Sequence, residues 1–249
     1  MQTELLNGIP ATPITASTEV TFHLAPAETD KPFRRVAGIS ANETNWRDGY
    51  VDQGIALEEY TTTLPTELSD RMLAFARRHI GPEATDKQTR YWCHTLAHRV
   101  GHTAMASSAP VNEGEGFRAY QQAESIYQNG ARISPNELAV GEHGVVADSD
   151  TNRPETRGPI DHSMVGIGDG LAIQVDNEGP HSEFSGHLYI GRPDEYVKRL
   201  EAKRGVGETT AQVGFYVHRD PVSDPATPQR RSRTLRNGLR SRLMPQRKP

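Results

Sequence analysis

The chain predicts an α+β fold, with N-terminal helices packed on an antiparallel sheet of about five strands. Three observations carry this expectation. Thr66 to Ile80 places Leu68, Met72, Phe75, Ala76 and His79 at helical spacing. A second helical pattern opens at Asp86 and runs through Cys93 to Val100. Beyond residue 140 the pattern becomes a series of short strand-like segments. Helices followed by mostly consecutive strands indicate α+β rather than a doubly wound sheet.

The elements follow in order. Residues 1–45 are rich in Thr, Pro and Ala, and Glu19 to Leu24 is their one strand candidate. Residues 1–60 therefore read as an extended arm or leading strand, and 61–218 as the α+β domain. The helix at 66–80 takes Thr66 or Ser69 as its cap. After the Cys93 helix comes a mixed helical segment at 117–130. Strands are expected at about 143–148, 161–167, 171–176, 186–190 and 212–217, with a proline-opened helix from Pro193 to Leu200. No internal repeat, Walker loop or dinucleotide fingerprint is present, and Gly166-Ile167-Gly168-Asp169-Gly170 sits in a hairpin rather than before a helix.

The hairpin at 161–176 can be read in register. Pairing Val165 with Ile173, Ile167 with Leu171 and Ser163 with Val175 puts the apolar residues on one face and leaves Gly168-Asp169-Gly170 as the connection. The other face then carries His162, Met164, Gln174 and Asp176. His162 lies opposite Asp176 and diagonal to Gln174, and either can accept a proton from the imidazole. An ordinary hairpin with a solvated polar face is the alternative.

Cys93 is the chain's single cysteine, so no internal disulfide supports the fold and a thiol is left for chemistry. Ala97, Val100 and Ala104 share its side of the helix, which marks that side as packed. A thiol near a helix N-terminus has its thiolate favoured by free N–H groups and the dipole. A helix-borne thiol and a strand-borne imidazole are the minimal parts of a cysteine hydrolase or transferase. A structural, buried cysteine is the competing explanation. In the catalytic reading Cys93 attacks a carbonyl, His162 handles the proton and Gln174 or Asp176 orients the imidazole. The Cys93 backbone N–H and the Tyr91 hydroxyl are candidate oxyanion donors. No cofactor is required.

A family resemblance rests on these same residues. Cys93 opening a helix, the segment Gly141-Glu142-His143-Gly144-Val145-Val146, and His162 followed by Gly168-Asp169-Gly170 resemble NlpC-type papain-like cysteine peptidases and amidases. The third polar residue, twelve positions after the histidine, is Gln174. The resemblance covers about residues 86–190. It implies a papain-like domain over 61–218, with a cysteine helix on an antiparallel sheet that bears the histidine, acting on a peptide, amide or acyl substrate. The chain departs from the family at Trp92 and His94, which flank the cysteine where Asp and Ser or Gly are usual. A papain-like scaffold without activity, used for binding, is a further alternative.

His94, His98 and His102 recur every four residues and present three imidazoles to one side of a helix, a donor set for a transition metal. The His94–His98 spacing matches the ligand pair of zinc metallopeptidases. Thr95 stands where those enzymes carry a glutamate base. Metal binding is therefore the second function class, and a plain helix face the alternative to it.

Composition bounds the rest. Hydrophobic residues make up 35% of 249, and the mean hydropathy of −0.67 is low for a fully packed chain. Residues 219–249 hold nine Lys or Arg against two Asp, a formal +7, leaving 19 basic against 30 acidic residues elsewhere, or −11. That basic, proline-containing tail is expected to be disordered in isolation and suits an anionic partner. The N-terminus has no signal-peptide pattern, and no run reaches the roughly 20 apolar residues that span a bilayer. A cytoplasmic location is the default expectation, with export without a cleaved signal left open. Oligomeric state is not readable.

Overall fold

The structure is a computed structural model. It describes residues 16–27, 33–49, 54–80, 92–101, 113–148, 160–176, 186–204 and 213–218. These form ten strands and four α-helices. In chain order they are β1 (Ser17–Leu24), β2 (Phe33–Ala41), β3 (Thr44–Arg47), β4 (Glu58–Pro65), α1 (Thr66–His79), α2 (Trp92–Val100), α3 (Glu113–Asn129), β5 (Ala131–Arg132), β6 (His143–Asp148), β7 (Ile160–Gly168), β8 (Leu171–Asp176), β9 (His187–Gly191), α4 (Pro193–Arg204) and β10 (Val213–Val217). The strands join in one ten-stranded sheet in the order β4-β1-β2-β9-β8-β7-β6-β10-β5, with β3 paired to β2. Every described pairing is antiparallel.

This overturns the expected fold class. The sheet has ten strands rather than about five, and the chain is strand-rich instead of a papain-like arrangement of helices on a small sheet. The difference arises in the N-terminal quarter, where β1 to β4 occupy a region that showed one strand candidate. Strand β4, Glu-Glu-Tyr-Thr-Thr-Thr-Leu-Pro, is a polar edge strand, and only Leu64 along it is fully buried. Charged and proline-ended edges are how sheets resist unwanted pairing, and they erase the alternation that marks a strand. Strand β2 mixes two arginines with Val36, Ala37 and Ile39 because it serves three neighbours. Its first residues pair with β9 and the remainder with β1 and β3.

Around β7 to β9 both faces of the sheet are covered. Val165, Ile167, Ile173, Val175, Leu188 and Ile190 share a core with Leu68 and Met72 of α1 and with Leu96, Ala97 and Val100 of α2. The opposite face places Met164, Ala172 and Tyr189 in a second core, against Tyr196, Val197 and Leu200 of α4. Ala123 and Ile126 of α3 meet Val145, Ala147 and Ile160 in a third. Full burial of an aliphatic side chain contributes roughly 1.5–3 kcal/mol, so each core is a substantial anchor for the elements it joins. The hairpin face that carries His162, Met164 and Gln174 is buried, which removes the alternative of an ordinary ribbon with a solvated polar face.

Local detail adjusts the sequence expectations. Helix α1 has no side-chain cap: Pro65 precedes it, Ser69 is buried within it, and Thr66 Oγ1 lies 2.9 Å from Thr18 Oγ1 on β1. Val165 pairs with Ile173 as the alternation requires, but the register slips by one before the turn, so Gly168 faces Leu171. The turn is then Asp169-Gly170, both at positive φ (53° and 68°), as a tight twisted hairpin requires. At Gly166 a Cβ would lie 2.1 Å from the Ala139 carbonyl oxygen, so the 138–142 segment sits directly on the hairpin.

Candidate active site

Cys93 occupies the first turn of α2, which contains no acidic residue to oppose a thiolate. The helix is seated on β7 and β8 by Leu96, Ala97 and Val100, all fully buried. That seating brings the half-buried Cys93 side chain into hydrogen-bonding contact with two imidazoles, His94 beside it and His162 on β7. Burial pushes the thiol up, yet the charges and hydrogen bonds of His94 and His162 outweigh it and hold the sulfur well below the usual thiol range.

His162 is fixed by its surroundings. One residue before it the β6–β7 register slips, leaving Asp161 as the extra residue of a bulge between Ile160 and His162. Bulges re-aim neighbouring side chains. The ring stacks on Tyr196 of α4, with centroids 4.9 Å apart and planes 24° from parallel. The Tyr196 hydroxyl donates to Asp161 Oδ2 at 2.9 Å, tying the stacked tyrosine to the strand that carries His162.

His94 has a separate support. Its Nδ1 lies 2.8 Å from Ser163 Oγ, and the same oxygen lies 3.0 Å from Nε2 of His143 on β6. All three residues are buried, and His94 also meets the Tyr120 ring edge-on at 5.4 Å. Burial, reinforced by the charges of His94 and His98, pushes His143 down to about 3, so it is neutral wherever the protein is folded near neutrality. From the sequence, Ser163, His143 and Tyr196 have no catalytic part, and His94 has a role only in a metal set. The adjacency of His94 to Cys93 and of Ser163 to His162 was the available signal.

The remaining candidates fall out differently. Gln174 is buried on β8, and its Oε1 has no hydrogen-bond partner, so that oxygen does not orient His162 here. Tyr91 and His102 lie outside the described residues, as do the side chain of Asp176 and the basic segment 219–249. His94 and His98 turn to different partners, since His98 Nδ1 donates to Gln122 Oε1 on α3 at 2.5 Å. Among the described residues no group of three His, Cys, Asp or Glu side chains is placed to share a metal ion. No described helix is long and apolar enough to cross a membrane.

No family model and no curated protein matches the chain. Among solved structures it is similar to an NlpC/P60 family protein from Bacillus cereus, at 14% identity and a TM-score of 0.22. The match covers 71% of this chain, which spans 60% of that structure's length. A likeness at that TM-score carries no argument about fold or activity, and the chemistry rests on the cluster around Cys93.

Proposed function

We propose that the protein is a cysteine-dependent hydrolase of the peptidase or amidase type, or an acyltransferase of the same chemistry. The observation that supports this is a Cys93 sulfur at the start of a helix with two imidazoles, His94 and His162, near enough to favour its thiolate. A structural cysteine has no use for that arrangement, whereas a nucleophile needs it.

Cys93 attacks the substrate carbonyl as thiolate, forming a carbon–sulfur bond while the carbonyl electrons move to oxygen. The backbone N–H groups at the start of α2 stabilise that oxyanion, a contribution of about 3 kcal/mol per well-placed donor. His162 gives its proton to the departing amine or alcohol as the tetrahedral intermediate collapses to a thioester. It then takes a proton from water, or from an acceptor nucleophile, and the second addition releases the acyl group and restores the thiol pair. Stacking on Tyr196 keeps the His162 ring in one plane through these exchanges.

p-Nitrophenyl acetate serves as a generic acyl donor for the test. The expected result is a burst of nitrophenolate with acetyl on Cys93 detected by peptide mass spectrometry, both lost in Cys93→Ala. His162→Ala is expected to slow turnover by about 100-fold or more. Release of nitrophenolate at the same rate from Cys93→Ala, with no acetylated Cys93 in the wild type, would overturn the proposal.

A further inference from the structure

The outer face of the N-terminal strands carries a cluster that the Cys93 site does not use. Alternation along β1, β2 and β4 turns Val20, Phe22, Ile39, Ala41 and Leu64 into the core and leaves Thr21, His23, Ser40, Glu59 and Thr61 on the other side. His23 stands directly across from Glu59 on β4 and from Gly38 on β2. Its Nε2 lies 2.9 Å from Ser40 Oγ, a diagonal step along β2, and its Nδ1 lies 3.5 Å from Glu59 Oε1. Gly38 makes the diagonal reach possible. A Cβ there would lie 3.3 Å from His23 Cδ2 and 3.1 Å from the Trp46 carbonyl oxygen, so the ring lies against the space a side chain would take. A mid-strand glycine weakens a strand, and close approach of another group is what such a position accommodates. With Nδ1–H directed at the carboxylate, Nε2 is the acceptor and the Ser40 hydroxyl donates to it. The His23 and Glu59 side chains are 27% and 67% exposed, so a solute reaches them.

We propose that Ser40, His23 and Glu59 form a second nucleophilic centre, which transfers acyl groups from esters that carry a negative charge. It shares no residue with the Cys93 site and does not rest on that reading. A hydroxyl bonded to one imidazole nitrogen, with a carboxylate at the other, is the arrangement that makes a serine a nucleophile, and it recurs on unrelated folds. Ser40 Oγ adds to the ester carbonyl carbon while His23 Nε2 takes the hydroxyl proton. As the carbon–oxygen bond to the alcohol breaks, His23 returns that proton to the departing oxygen, leaving an acyl-serine. Water then adds to the acyl carbon and gives a proton to His23, and the acid is released as Ser40 recovers its hydrogen. Glu59 is a positioning residue, because it acts on Ser40 through the His23 ring. Arg47 sets the substrate class. It is exposed on β3 opposite Gly38, and its Cγ lies 3.7 Å from the same Cβ point that the His23 ring flanks. A guanidinium is thus tethered beside the serine, suited to a carboxylate or phosphate on the substrate. Asn45, opposite Ser40, supplies an amide donor to the oxyanion.

The probe is 4-acetoxy-3-nitrobenzoate, an activated acetate ester whose leaving group carries a carboxylate. It is used on the full chain with Cys93→Ala, so that the thiol contributes nothing. p-Nitrophenyl acetate, which offers Arg47 no charge to hold, is the neutral comparison. The expected result is saturable release of the nitrophenolate from the anionic ester, well above that from the neutral one, with acetyl on Ser40 in acid-quenched peptides. Adding Ser40→Ala abolishes both signals, and adding His23→Gln slows release by about 100-fold or more. Glu59→Gln lowers kcat by about tenfold with KM unchanged, whereas Arg47→Gln raises KM by about tenfold and leaves kcat within several-fold. All four side chains lie on the outer face, so the variants should keep the parent's circular dichroism. The proposal is overturned if Ser40→Ala releases the leaving group as fast as its Cys93→Ala parent. Equal KM values for Arg47→Gln and the parent would overturn the assigned substrate class. Neither result bears on Cys93, whose own test is the acetylation of its sulfur.

Discussion

Lowering the pH should destabilise this protein through His143, and the size of the effect follows from its burial. In the folded chain the imidazole is held down to about 3, against 6.5 for an ordinary histidine, by burial first and by the charges of His94 and His98 second. Between those two values the unfolded chain binds a proton that the folded chain does not. Stability is therefore complete above about 6.5 and falls as the pH drops toward 3, by at most about 1.4 kcal/mol per unit for this one group. Between about pH 7 and pH 5 the loss integrates to about 2 kcal/mol. His143→Gln retains a polar group near Ser163 and cannot titrate. Urea unfolding of both proteins at each pH isolates the effect, because the other titrating groups are common to both. Wild type should lose about 2 kcal/mol more than the variant over that interval. Parallel stability profiles would show that His143 protonates in the folded state as freely as in the unfolded one, and the account of its environment would be wrong.

Two further outcomes follow from the packing. Arg99 and Glu115 form a buried two-pronged ion pair that also reaches His79, with Arg99 Nη1 donating to His79 Nε2 at 3.1 Å, so the contact links α1, α2 and α3. Glu115→Gln should cost about 3–5 kcal/mol in urea unfolding by leaving a buried guanidinium without its counter-charge, and a loss under about 1 kcal/mol would refute this. Gly166→Ala forces a methyl against the Ala139 carbonyl, which is backbone and cannot rotate away. It should lower stability by about 2 kcal/mol or more, and an unchanged thermal midpoint would contradict so close an approach.

Much of the second half of the fold was readable residue by residue. The alternation of Val165, Ile167, Ile173 and Val175 specifies the central register, since a slip of one would turn aliphatic groups to the wrong core. Pro193 marks the start of α4 because its fixed φ suits a first helical turn. The first quarter was illegible for a different reason. The signal in β2 is divided between β1, β3 and β9, partners as far away as Gly191 is from Phe33, and no local window contains that pairing. Burial of the hairpin's second face was not legible, because nothing in its residues announces that α4 will cover it. A buried His162, Met164 and Gln174 look in sequence like the polar side of an exposed ribbon.

The linear chain by itself established that a single thiol sits at a helix start and that a histidine follows on a strand of definite register, because both depend on short-range periodicity. Tertiary structure alone decided which groups surround that thiol. His94 is turned onto Ser163 rather than into a metal set, His143 is kept neutral beneath it, and Tyr196 is stacked on His162. These contacts join residues from α2, β6, β7 and α4, and their protonation depends on how completely the packed layers exclude water. Desolvation is a property of the assembled fold, and no segment carries it alone.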